Sequence, residues 1–260
     1  MSDYDRNVAG RWNTTVARSE AAIDQGLRSY MLSVYNYMAL GLAITGAAAL
    51  GVFMMSVSAE PTQYALGNGQ YLTSFGYTMF VSPLKWVVML APLALVFFLG
   101  FRVDRMSVST AQATFWAYAA LVGVSLATIF LVYTHESIVR VFFITAASFG
   151  ALSLYGYTTQ RDLSGMGSFL MMGLFGIIIA SLVNIFLGSS MLQFIVSVVG
   201  VLVFAGLTAY DTQQIKEMYF AGDDQAVMGK KAIMGALRLY LDFINLFMML
   251  LQLFGGRSND

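Results

Sequence analysis

Seven long apolar runs dominate the chain and leave few folds open to it. They are Tyr30–Val57, Leu84–Phe101, Ala113–Tyr133, Ile138–Tyr157, Met166–Leu187, Met191–Tyr210 and Ala232–Phe254. A bilayer core of about 30 Å takes about 20 apolar residues to cross as a helix, and each run meets or approaches that length. In hydrocarbon the backbone must satisfy its own hydrogen bonds, so a spanning chain is a helix bundle or a closed barrel. A barrel would need segments of about ten residues alternating apolar and polar, and no such pattern is present. The sequence therefore predicts an all-α polytopic membrane protein with seven transmembrane helices. They form one domain over 29–257, after a polar tail over 1–28 and before a short C-terminal end at 258–260. The second run is the shortest and holds Pro92, which allows a kink or an adjoining re-entrant stretch. Gly188-Ser189-Ser190 predicts a tight turn between the fifth and sixth spans.

Composition narrows the chemistry. Of 260 residues, 58% are hydrophobic and 11% charged, whereas a soluble domain carries about 25% charged residues. Net charge is zero and no basic stripe is present, which argues against a nucleic-acid partner. The chain has no Cys and a single His, which removes disulfide frameworks, thiol catalysis and zinc sites. No apolar signal core precedes the first span, so that span is expected to direct insertion itself.

Basic residues set an orientation. Arg6, Arg11, Arg18, Arg28, Arg102, Arg105, Arg161, Lys216, Lys230 and Lys231 fall on one side, against Lys85, Arg140 and Arg257 on the other. The N-terminus is expected in the cytoplasm, the C-terminus outside, and the membrane is expected to be a bacterial inner membrane. The longest outer connection, Ser58–Pro83, reads as a solvated loop, and His135-Glu136 as a solvated pair in a short outer one. Small residues at Gly41, Thr45 and Ala49, and at Gly165, Gly167, Gly173 and Gly176, mark places where helices can approach closely.

Two carboxylates interrupt the last two runs. Asp211 lies five residues before Lys216, about 7–8 Å inward, and Asp242 lies eleven past Lys231, nominally about 16 Å inward. A charge in hydrocarbon costs roughly 2.5–3.5 kcal/mol on insertion scales, so such residues are functional candidates by default. The two helices are sequential and antiparallel, so both groups descend from the same face and their depths can match within one or two helical turns. Two carboxylates in contact in a poorly solvated site would share one proton. Raising the pH would remove it and set two charges against each other, which makes a pH-biased gate. Oxygen ligands without His or Cys also suit a hard cation, Ca²⁺ above all, with Asp211 and Asp242 as its ligands. Competing readings rest on named neighbours. Arg238, four residues before Asp242, can neutralise it along one helix face. Asp211 can cap local backbone groups or pair with Arg102, and Asn245 is a further hydrogen-bond partner one turn beyond Asp242.

The segments AGLTAYDTQQIK and GALRLYLDFINLFMMLLQLFGGR resemble the sixth and seventh spans of the Bax inhibitor-1 family. SLYGYTTQRDLSGMGSFLMMGL resembles the fourth-to-fifth connection of its bacterial branch. The similarity covers about Tyr30 to Arg257. It implies a seven-helix fold with the last span surrounded by the other six, and a pH-sensitive Ca²⁺ leak with a di-aspartyl sensor between the sixth and seventh spans. Asp211 and Asp242 stand at the family's two aspartate positions, and Arg102 is the candidate for its basic partner. The acidic residue that some members carry in the second span is absent from Leu84–Phe101, which puts any ion route through it in doubt. In animals and plants the family is linked to suppression of cell death, and the sequence names no protein partner here.

Other functions fit less well. An intramembrane aspartyl protease of the presenilin type needs Gly-x-Gly-Asp, where this chain has Leu239-Tyr240-Leu241-Asp242. A retinal photoreceptor would need a Lys in the seventh span after Lys231. A proton- or cation-coupled secondary transporter and a regulatory membrane protein remain open. The reading is a pH-sensitive Ca²⁺ leak, with no enzyme activity and no permanently bound cofactor. Its partners are membrane lipid, Ca²⁺ and protons, and its site residues are Asp211, Asp242, Arg102, Arg238 and Asn245.

Overall fold

The computed structural model describes residues 3–67 and 70–258, with side chains of the N-terminal helix from Asp24 onward. Residues 1–2 of the expected tail and 259–260 of the expected C-terminal end lie outside the described residues. The chain is an all-α polytopic membrane protein, and seven of its helices are long and apolar enough to cross a bilayer.

Helix α1 (Asp3–Ser56) carries the first span. No proline occurs before Pro61, and the polar tail continues the helix of the span rather than forming a separate segment. The outer connection is ordered: strands β1 (Val57–Ser58), β2 (Tyr64–Gly67) and β3 (Gln70–Leu72) form a small antiparallel sheet in the order β1-β3-β2, followed by α2 (Ser74–Phe80). It is tied to the end of α1, where the Thr73 hydroxyl donates to the Met55 carbonyl and the Thr73 amide to the Ser56 carbonyl. The solvated loop expected here is thus a folded cap.

Helix α3 (Leu84–Arg102) passes through Pro92 without interruption and ends in a 3₁₀ turn, Val103–Arg105. The third run divides into α4 (Val108–Leu126) and α5 (Ile129–Val132). At the break the Ala127 and Phe130 amides each bond three residues back, to Val124 and Ala127, which tightens the turn. Helices α6 (His135–Thr158), α7 (Ser164–Leu187), α8 (Ser190–Glu217) and α9 (Gln225–Phe254) supply the remaining spans. His135 opens α6 instead of sitting in a loop, with its ring centroid 5.4 Å from Phe53 and 5.5 Å from Phe130. The turn from α7 to α8 is as short as expected. Gly188 takes the left-handed conformation at φ 60° there, and the Asn184 side chain accepts from the Ser189 amide.

Helix starts are capped where the chain leaves the membrane. Ser107, Thr134, Ser189 and Asp224 each accept the backbone amide three residues on.

Helix α9 forms the axis. In its span 61% of residues are buried, against 6% in α3 and 11% in α7. It packs on α8, α1, α6 and α4, while α3 packs chiefly on α4 and α7 on α8. The closest neighbours of α9 are therefore α8, α1, α6 and α4, and α7 meets it near the α7–α8 turn, where Asn184 and Ile185 line a cavity with Met249 and Gln252. Large apolar side chains such as Phe175, Ile185 and Phe186 point outward from α7, as lipid contact requires.

The small-residue stripe of α1 has a specific use. A side chain at Gly41 would stand 2.9 Å from the Phe115 ring, and Thr45 holds the hydroxyl of fully buried Tyr240 at 2.6 Å. The Thr45 hydroxyl also reaches the Ala119 carbonyl at 2.8 Å, so α1, α4 and α9 meet on one hydroxyl. Thr45→Val keeps the shape and strands the Tyr240 hydroxyl. It is expected to cost about 1–2 kcal/mol, read as a lower thermal midpoint, with Thr45→Ser near wild type.

Candidate functional site at the junction of the sixth and seventh spans

Helices α8 and α9 run antiparallel and adjacent. The connection between them is fastened by Lys231, whose ammonium donates to the Met218 carbonyl and forms an ion pair with Asp223. Close approach of the two helices is set at Gly235, where an added Cβ would lie 3.0 Å from Ile215. This register places Asp211 of α8 opposite Asp242 of α9, with their carboxyl groups within hydrogen-bonding reach of each other.

Asp242 is 4% exposed, and its Oδ2 is buried without a hydrogen bond from any amide, hydroxyl or cation. Asp211 is half-buried. A hydrogen bond between two carboxyl groups requires a proton on one of them, so the arrangement has the chemistry of a shared-proton pair. Arg238, one turn before Asp242, lies within electrostatic reach of both carboxyls while its side chain remains exposed. The Arg238 field also reaches Tyr30 of α1.

The remaining sequence candidates are placed differently. Arg102 is exposed at the end of α3, a helix that packs on α4 and α2 rather than on the α8–α9 seam. The basic group that the structure brings to the pair is Arg238. Asn245 donates to the Leu241 carbonyl of its own helix at 2.8 Å. The structure thus unites Asp211, Asp242 and Arg238 and leaves Arg102 and Asn245 outside.

Three residues just after Asp211 fix its position; the sequence marked Lys216 only as an interfacial cation and did not single out Thr212 or Gln213. The Thr212 hydroxyl lies 2.9 Å from that of Ser153, which lies 2.6 Å from Tyr35 Oη, joining α8, α6 and α1. Gln213 donates to the Arg161 carbonyl and accepts from the Leu163 amide, both at 2.8 Å, and so holds the connection between α6 and α7. Lys216 donates to the Tyr157 carbonyl at 2.9 Å with its ammonium 5.4 Å from the Tyr157 ring centroid. The signal available in the sequence was the polar run DTQQIK closing an otherwise apolar span. Among the described residues no group of three or more His, Cys, Asp or Glu is placed to hold a metal ion.

Comparison with known proteins gives a consistent picture. The profile of the family described as "Inhibitor of apoptosis-promoting Bax1" matches residues 27–259. A protein of Rickettsia prowazekii is 49% identical over 259 residues, covering 100% of both chains. The "Inner membrane protein YbhL" of Escherichia coli is 44% identical over 234 residues, covering 89% of this chain and 93% of that one. An "Uncharacterized membrane protein" of Streptococcus pyogenes is 34% identical over 232 residues, covering 89% of this chain and 94% of that one.

Proposed function

We propose that this chain, which belongs to the Bax inhibitor-1 family, is a pH-sensitive Ca²⁺ leak whose gate is the Asp211–Asp242 pair. The observation that carries the reading is two carboxyl groups, on the two sequential helices at the bundle axis, within hydrogen-bonding reach in a largely buried site. Such a pair responds to pH by gaining or losing one shared proton, and the response acts directly on the α8–α9 seam. Arg238 supplies the cationic counterweight, and it is the group whose pull opposes repulsion between two ionised aspartates.

Ca²⁺ is the cargo. It takes six to eight oxygen ligands when held tightly, and two carboxylates offer a way-station more than a storage site. The membrane is a bacterial inner membrane, in keeping with the name of the Escherichia coli relative. The N-terminus is cytoplasmic by the bias of basic residues, which puts the aspartates in the cytoplasmic half.

The test is Ca²⁺ flux into liposomes holding the purified protein at pH 6, 7 and 8. The expected result is downhill flux that changes severalfold across this range and stops when the gradient is gone. Uphill accumulation driven by a proton gradient would identify a coupled transporter instead. No flux at any pH would reject the leak.

A further inference from the structure

Helices α1 and α6 both pack on α9, yet a groove of about 700 Å³ opens between them toward the outside of the bundle. Met31, Leu32 and Met38 line it from α1, and Phe149, Leu154 and Tyr157 from α6. Leu32 and Leu154 are 51% and 62% exposed, so the groove faces what surrounds the bundle. Its floor is crossed by the Tyr35–Ser153 hydrogen bond.

The dimensions of the groove match one leaflet. From Arg28, at its interfacial end, to Met38 is ten residues of helix, about 15 Å, or half of a core about 30 Å thick. Its charge is confined to that end. Arg28 lines the mouth, and the Lys216 ammonium lies 5.4 Å from the ring centroid of Tyr157, itself a lining residue. Among the described residues neither cation is engaged in an ion pair. Below the mouth the lining is apolar apart from the Tyr35 and Ser153 hydroxyls, which bond each other.

We propose that this groove binds an anionic phospholipid of the leaflet on the N-terminal side, with its phosphate at Arg28 and Lys216 and an acyl chain between Met31–Met38 and Phe149–Leu154. A cationic rim recognises the head group and long stems of Arg and Lys reach the interface while lying along apolar surface. The chain slot excludes bulkier occupants because Tyr35 and Ser153 close its floor. Occupancy follows from groove and rim alone and does not depend on the leak. It nevertheless bears on the aspartates, because Ser153 is bonded to Thr212, the residue after Asp211, and Lys216 belongs to the same turn of α8.

The experiment is native mass spectrometry of the full-length protein released from nanodiscs of mixed phosphatidylcholine and phosphatidylglycerol. One phosphatidylglycerol is expected to stay bound, preferred over phosphatidylcholine by about 30-fold for two cations at the rim. Arg28→Ala should reduce that preference about fivefold, because one interfacial cation is lost. Leu154→Trp, at an exposed position, should fill the slot and lower retention of both lipids while leaving the preference intact. Equal retention of the two lipids by wild type, or unchanged retention in either variant, would overturn the proposal. The readout is binding, so a protein that carries no Ca²⁺ still tests it.

Discussion

Replacing Asp242 by Asn is expected to flatten the pH response of Ca²⁺ flux to within about twofold between pH 6 and 8. One shared proton can change the balance of two states by at most about tenfold per pH unit. The amide of Asn keeps the size of a protonated carboxyl and can donate to Asp211, but it cannot give up a proton in this range. Asp211→Asn should act in the same way, since the titration belongs to the pair and not to either member. The double substitution should add little to either single one, because residues acting as a unit are not additive. A full pH response in both single variants would reject the pair as the sensor and leave the fold assignment untouched.

The direction of the wild-type response separates two forces. Once both aspartates are ionised they repel each other across the α8–α9 seam, and Arg238, within reach of both, opposes that repulsion. Flux that rises with pH means that repulsion governs. Flux that falls with pH means that the ionised pair is held by a cation, and Arg238→Gln would then remove the fall. The exposed head of Arg238 makes its pull sensitive to salt, whereas repulsion between buried carboxylates is screened much less. Repeating the flux at low and high ionic strength therefore reads out the same contest without a mutation.

The spans were legible in the sequence because length and hydropathy alone decide what can cross a bilayer. The Gly188 turn was legible because only a few residue types close so short a connection. Counting residues from Lys216 and Lys231 put Asp211 and Asp242 within one or two helical turns of each other in depth. Arg238 could be placed beside Asp242 by helical spacing. What depended on tertiary packing was not legible. The break at Ala127 lies inside a run with no proline, and the sheet after α1 is built from short segments whose ends are held by α1 and α2. The resemblance suggested Arg102 as the basic partner. Here α3 packs against α4, one layer from the axis, and takes Arg102 with it. Thr212, Gln213 and Lys216 look like an interfacial polar run, and their bonds to Ser153, to the Arg161–Leu163 backbone and to Tyr157 exist only in the assembled bundle.

Gly156→Val is expected to be among the most damaging single changes outside the aspartates, because the obstacle is backbone. Gly156 of α6 lies against Ala209 of α8, and an added Cβ would overlap the Ala209 carbonyl oxygen and crowd its Cα. A side chain in the way could rotate, but a carbonyl in the middle of α8 cannot move without breaking that helix's own bonds. Overpacking costs typically 1–3 kcal/mol, and the rigid obstacle places this case at about 3 kcal/mol or more. That corresponds to a thermal midpoint lower by roughly 6–12 °C for a chain of this size. Gly176→Val in α7 is the matched control. It carries the same cost for a β-branched residue in a helix, yet nothing lies within 4 Å of its added Cβ, so its midpoint should stay close to wild type. The two variants also differ in function. Ala209 is two residues before Asp211, so displacing α8 from α6 moves one carboxylate relative to the other, and any Gly156→Val protein that folds should show an altered pH midpoint of flux. Equal midpoints and equal flux profiles for the two variants would mean that α6 does not set the position of α8. The anchoring of Asp211 would then have to come from α7 and α9.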